Sequence, residues 1–210
     1  MKKGLDVALP KGRLATEALD LMRRSGYAMD SIRDDRQLIV TDPNDGFRFM
    51  FVKPSDVITY VTRGVADVGI VGMDMVLEAK EDLFELLHLN IGKCRLVVAG
   101  LDPRGFEKAT EITVATKYPR IARDYFATRN KSVTIVKLNG SVELGPLVGL
   151  SDAILDLYET GQTLRVNGLS VFEKVREIES MLIANRASYR LKYEAIRALR
   201  QRLAKGVERT

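Results

Sequence analysis

The chain has 210 residues, 46% of them hydrophobic and 29% charged, with a formal net charge of +5. That composition is globular and leaves room for one large or two small domains, and it holds no run near the roughly 20 apolar residues of a membrane span. One cysteine and one histidine exclude an internal disulfide and a Cys/His zinc site, which makes the cytosol the expected compartment.

The basic excess suits nucleic acid and small polyanions such as nucleotides alike. Few aromatics lie among the basic residues and no nucleic-acid motif is present, so the small anionic ligand is favoured. The N-terminus begins M-K-K-G-L, but Asp6 interrupts its apolar run and Pro10 ends it, so no secretory signal is expected.

Residues 5–9 read as a short apolar strand. Leu14, Ala18, Leu21 and Met22 fall at helical spacing over residues 13–26, with Gly26 as the stop. Lys11, Gly12 and Arg13 therefore stand between a strand's carboxyl end and a helix start, where open α/β sheets bind ligands. They read either as a phosphate or nucleotide contact or as a solvated loop. Residues 36–41 and 47–52 form a hairpin around a turn of Pro43, Asn44, Asp45 and Gly46. After Lys53 and Pro54, Ser55 or Asp56 is expected to cap a helix ending at Gly64. Residues 67–71 (D-V-G-I-V) are a buried strand, and Gly72 and Asp74 lead into another short helix.

Residues 83–99 read as a crossover between domains, and 102–108 as a polar loop. A strand follows at 112–116, then a helix from Tyr118 and Pro119 to about Arg129, and a strand at 133–138. Residues 170–187 continue as strands. Tyr189, Tyr193, Ile196, Leu199 and Leu203 mark one face of a final helix, whose other face carries Arg190, Arg197, Arg200 and Lys205. Such a basic face is ordinarily solvated. The lone His88 is read as a packed or surface residue and not as a catalytic base.

Residues 153–158 (A-I-L-D-L-Y) are apolar apart from Asp156 and run into the loop Glu159, Thr160, Gly161, Gln162, Thr163, with a helical turn behind it at 164–166. A strand emptying into a Gly/Thr loop at a helix start gathers backbone N–H groups and hydroxyls, a cradle suited to a phosphate monoester. Asp156 would then face an attached sugar, accepting from adjacent hydroxyls. The bland alternative is a core strand closed by an ordinary turn.

Several stretches together resemble one family. These are L-P-K-G-R-L (9–14), D-V-G-I-V-G-M-D (67–74), L-N-I-G-K-C-R-L-V-V-A (89–99), A-T-K-Y-P (115–119), K-L-N-G-S-V-E-L (137–144) and D-L-Y-E-T-G-Q-T-L-R-V-N-G-L (156–169). They look like the catalytic subunit of ATP phosphoribosyltransferase in its short form, without room for a regulatory C-terminal domain. The resemblance implies an α/β fold of two mixed or parallel-sheet domains with helices on both faces, periplasmic-binding-protein-like, with the active site in the interdomain cleft. Domain I would comprise residues 1–90 and 178–210, and domain II residues 91–177.

The implied reaction is transfer of 5-phosphoribosyl from phosphoribosyl pyrophosphate to N1 of ATP, with Mg²⁺, opening histidine biosynthesis. The same resemblance assigns Asp156, Glu159, Thr160, Gly161, Gln162 and Thr163 to phosphoribosyl pyrophosphate. It assigns Lys11, Gly12, Arg13, Asp74, Lys117 and Glu143 to ATP, and Arg36 and Lys53 to the departing pyrophosphate. At Lys53 the family's short forms can carry arginine, and lysine keeps the charge without the planar fork. The expected assembly is a homodimer bound to a histidyl-tRNA-synthetase-like regulatory subunit, with neither nucleic acid nor membrane as partner. Two other readings stand beside the transferase: a non-catalytic two-domain small-ligand binder or sensor, and nucleic-acid binding through the basic C-terminal helix.

Overall fold

The computed structural model describes residues 4–29, 37–129 and 131–208. Its elements open with β1 (Asp6–Pro10), α1 (Arg13–Arg24), β2 (Ile39–Thr41), β3 (Arg48–Val52), α2 (Pro54–Thr62), β4 (Val68–Gly72), α3 (Met73–Ala79) and β5 (Phe84–His88). They continue with β6 (Cys94–Gly100), α4 (Pro103–Lys108), β7 (Glu111–Thr116), α5 (Pro119–Ala127), β8 (Ser132–Lys137), α6 (Leu144–Leu147), β9 (Ala153–Tyr158), α7 (Gln162–Val166) and β10 (Ser170–Ile178). The chain closes with β11 (Ser180–Ala184), α8 (Arg186–Leu191) and α9 (Tyr193–Val207). It divides into two units, Met1–Gly92 with Glu179–Thr210, and Lys93–Ile178.

The strands of the first unit read as unbroken apolar runs because both faces of their sheet are covered. Side chains alternate across a strand, and the two sets go to two cores. Val7, Leu9, Phe49, Phe51, Val68, Ile70 and Leu182 join the buried residues of α1 and α9. Ala8, Met50, Val71, Met181 and Ile183 join those of α2 and α3. The sheet order is β2-β3-β1-β4-β11-β5, parallel through β3, β1 and β4 and antiparallel outside them. The carboxyl ends of three parallel strands, each followed by a helix start, thus share one edge.

Asp67, just before β4, is buried, and its Oδ2 accepts from the Asp6 N–H at 2.8 Å and from Lys192 Nζ at 2.5 Å. Asn185 caps α8 by accepting from the Ala187 and Ser188 N–H groups, and its Nδ2 donates to the Val61 carbonyl at 2.9 Å. Charge and capping therefore fasten the returning C-terminal segment to the N-terminal strands.

The second unit is a mixed sheet in the order β10-β6-β9-β7-β8, with β9, β7 and β8 parallel. One face buries Val97, Ala99, Ala115 and Ile154 against Val142, Leu164 and Leu169. The alternate residues, among them Leu96, Val98, Val114 and Leu155, are also buried, and α5 packs on β7 and β8. Tyr125 of α5 donates to Glu173 Oε2 of β10 at 2.5 Å, with the Arg129 guanidinium stacked 3.5 Å from its ring centroid. Burial first, then the hydrogen bond and charge of Glu173, push the Tyr125 phenol above its ordinary range.

Three sequence expectations are corrected. Residues 102–108 form a helix and not a polar loop: Asp102 caps α4, its side chain accepting from the Arg104 and Gly105 N–H groups, and Pro103 occupies the first position. Neither Ser55 nor Asp56 caps α2; Lys53 is the cap residue, Pro54 opens the first turn, and the Ser55 hydroxyl donates to Asp56 instead. The passage between units, at residues 92–93, falls inside the expected crossover, and residues 84–88 ahead of it form an edge strand on β11. The final helix is broken at Lys192, whose φ of −121° separates α8 from α9. Ile196, Leu199 and Leu203 are buried on α9, while Tyr193 is 43% exposed.

Candidate active site

In the second unit, the register of β6 against β9 opposes Arg95 to Tyr158, Val97 to Asp156 and Ala99 to Ile154. These six residues share the face that carries α7. Val97 and Ile154 make an apolar floor, and Asp156 rises beside it where β9 runs out. A cavity of about 180 Å³ opens there, bounded by Asp156, Glu159, Thr160, Gly161, Gln162 and Thr163. The six residues read from sequence as one loop site thus line a single concavity. Glu143, assigned by resemblance to the nucleotide, lines the same cavity.

The loop has a definite backbone. Gly161 stands at φ 70° as the residue before α7, a left-handed geometry that favours glycine. The first ladder bond of α7 runs from the Arg165 N–H to the Gly161 carbonyl at 3.0 Å. The N–H groups of Gln162, Thr163 and Leu164 precede it, at the end of the helix where orphan donors collect. Gln162 N–H is 3.4 Å from Thr160 Oγ1. Three hydroxyl- or amide-bearing side chains and an exposed helix start therefore surround one small volume with three carboxylates, Glu143, Asp156 and Glu159, beside it.

In the first unit, Lys11 N–H donates to the Val52 carbonyl at 2.8 Å, which brings the chain just past β1 alongside Lys53. Gly12 (φ 88°) precedes α1, Lys53 precedes α2 and Gly72 precedes α3. Lys11, Gly12, Arg13 and Lys53 are exposed. Arg13 lies 3.5 Å from Glu17 Oε1, and the other oxygen of Glu17 accepts from the Gly92 N–H at 2.7 Å. Asp74 is buried in the first turn of α3, its carboxylate folded over the space a side chain on Gly72 would fill. Lys11, Gly12, Arg13, Lys53 and Asp74 thus gather at one sheet edge.

Lys117 is exposed directly after β7, on the same sheet edge as the cavity but not lining it. Arg36 lies outside the described residues. His88 is exposed, with Nδ1 2.8 Å from Glu179 Oε1 in the first unit. Arg200 donates to the Leu86 carbonyl at 2.9 Å and Arg202 stacks 4.7 Å from the Tyr27 ring centroid, so part of the basic C-terminal surface is engaged within the chain.

Sequence reasoning passed over Tyr158 and Arg95. Both lie inside quoted motifs, yet nothing in their spacing signals that they face each other across two strands 63 positions apart.

Among the described residues no three His, Cys, Asp or Glu side chains converge as a metal site. Mg²⁺ keeps several waters and is commonly held by one or two carboxylates plus substrate phosphates. Asp156 and Glu159 at the cavity fit that donor set for an ion arriving with a diphosphate.

A family model described as HisG, ATP phosphoribosyltransferase, matches residues 53–205. Curated relatives named ATP phosphoribosyltransferase include those of Bacillus licheniformis, 49% identical over 99% of this chain and 98% of its own length, and Bacillus subtilis, 47% identical with the same coverage. The solved ATP phosphoribosyl transferase (HisG:HisZ) complex from Thermotoga maritima matches with a TM-score of 0.82 at 32% identity, covering 98% of this chain and all of that one. The Escherichia coli periplasmic aliphatic sulphonate binding protein SsuA matches with a TM-score of 0.63 at 13% identity, over 99% of this chain and 73% of its own, a likeness of fold alone.

Proposed function

Since the chain belongs to the ATP phosphoribosyltransferase family, a family of pentosyltransferases, we propose that the cavity at the end of β9 holds the phosphoribosyl donor. The observation that carries this reading is the convergence of Asp156 with residues 159–163 on one concavity at a parallel-strand carboxyl end. The loop and helix start suit the 5′-phosphate, and Asp156 suits the ribose hydroxyls. Lys11, Gly12 and Arg13, with Asp74 and Lys117, take the ATP side. Full-length relatives carrying the enzyme's name set aside the sensor reading.

N1 of adenine is neutral and needs no proton removed before it attacks, so a general base gains little. What requires stabilisation is the negative charge that grows on pyrophosphate as the ribosyl carbon becomes cationic. Lys53 supplies one cation for it and Arg36 a second; loss of either would cost about 3 kcal/mol in the transition state, by analogy with single oxyanion donors. Bound Mg²⁺, held by Asp156 or Glu159 together with the donor's phosphates, would neutralise part of the same charge. Much of the remaining acceleration comes from fixing the sugar's orientation.

By its likeness to the Thermotoga complex, the chain is proposed to form a homodimer that joins a HisZ-like regulatory subunit. It would act at the entry to histidine biosynthesis, in the cytoplasm. The test mixes the chain, with and without that subunit, with ATP, phosphoribosyl pyrophosphate and Mg²⁺ and follows the N1 adduct by absorbance. Asp156→Asn is expected to lower kcat/KM for phosphoribosyl pyrophosphate by about 10- to 100-fold, the worth of a charged hydrogen bond. Wild-type kinetics in that variant would remove Asp156 from the sugar site.

A further inference from the structure

We propose that Tyr158 and Arg95 are positioning residues of this site: the Tyr158 ring, backed by the Arg95 guanidinium, clamps the left-handed Gly161 turn and so holds the loop 159–163 in its anion-accepting shape. The proposal rests on the phosphate reading given above. Its starting point is a close approach. A Cβ on Gly161 would meet the Tyr158 hydroxyl, and would lie 2.5 and 2.6 Å from ring atoms Cε2 and Cζ. The ring therefore occupies the space over Gly161, and glycine is required twice, for its φ and for that contact.

The ring has a second neighbour in Arg95. Tyr158 and Arg95 are directly opposed across β9 and β6, and the Arg95 guanidinium lies 5.2 Å from the ring centroid, within cation–π range. Tyr158 is partly buried and packs against the core cluster that includes Val97, Ile154 and Leu164, so moving it away gives up that packing. Because Asp156 and Tyr158 are two residues apart on one face, the same strand sets the carboxylate and the clamp. Neither side chain need touch substrate to matter, since a displacement near 1 Å at a positioning element can cost about 10²-fold.

The experiment uses the full chain with its regulatory subunit and two readouts. One is steady-state kinetics; the other is amide hydrogen exchange over residues 159–168 without substrates. Tyr158→Ala is expected to raise KM for phosphoribosyl pyrophosphate about tenfold, leave KM for ATP within about twofold, and speed exchange in the loop. Tyr158→Phe keeps the ring and should restore both readouts.

Arg95 is exposed, so Arg95→Ala should fold normally; losing a cation–π contact predicts a KM increase of about two- to fivefold. Adding Arg95→Ala to Tyr158→Ala should cost nothing more, because the two act as a unit. Wild-type loop exchange in Tyr158→Ala, or a Phe variant as impaired as Ala, overturns the clamp. A loosened loop with unchanged KM supports the clamp and overturns the phosphate reading instead.

Discussion

Glu143 changes meaning once its neighbours are known. The resemblance placed it with ATP, yet it lines the cavity with Asp156 and residues 159–163. If it serves the donor sugar or its ion, Glu143→Gln should raise KM for phosphoribosyl pyrophosphate by about tenfold, the worth of one charge-assisted hydrogen bond, while KM for ATP stays put. Separate substrate titrations check this, and a shift confined to ATP would return Glu143 to the nucleotide. Asp156 and the loop were legible in the sequence because a lone acid in an apolar strand, followed by Thr-Gly-x-Thr, is a local pattern. Tyr158 and Arg95 were not, because their meeting depends on the antiparallel register of β6 and β9, which neither segment encodes alone.

Between elements, α2 packs closely on β4 at Gly69, the second residue of that strand. A Cβ there would lie 2.9 Å from methyl groups of both Val57 and Val61 on α2, so this helix rests directly on strand backbone. Gly69→Ala should lower stability by about 1–3 kcal/mol through overpacking, read as a lower urea midpoint with an unchanged m-value. An unchanged midpoint would mean that α2 can back away from the sheet at no cost. Strands and most helices were readable from period and punctuation. Two failures have different causes: α4 is made by a local cap, Asp102, and a proline rather than by apolar spacing, whereas the α8–α9 break coincides with Lys192 reaching Asp67, a partner 125 residues away. Where a boundary is decided by a distant partner, local periodicity cannot supply it.

At the scale of the whole molecule, the first unit is assembled from both ends of the chain and the second from one continuous segment. The first sheet is incomplete until β11 inserts between β4 and β5, so everything after residue 178 must be brought home. Asp67 is where that return is fastened: its carboxylate joins the amide of Asp6 and the ammonium of Lys192, and its carbonyl accepts from the Asn185 N–H at 2.9 Å. Removing Lys192 leaves a carboxylate with only 7% of its side chain exposed, without its cation. A fully buried pair broken this way costs about 3–5 kcal/mol; with Lys192 itself 24% exposed, Lys192→Ala should cost nearer 2 kcal/mol, water screening part of the loss. The two-part construction also dictates where the damage appears. Amide exchange should accelerate across β1, β4, α8 and α9, while the amides of β7, β8 and β9 in the second unit keep their protection. Uniform acceleration in both units would show that Asp67 and Lys192 secure the chain as a whole and not the closure of its first unit.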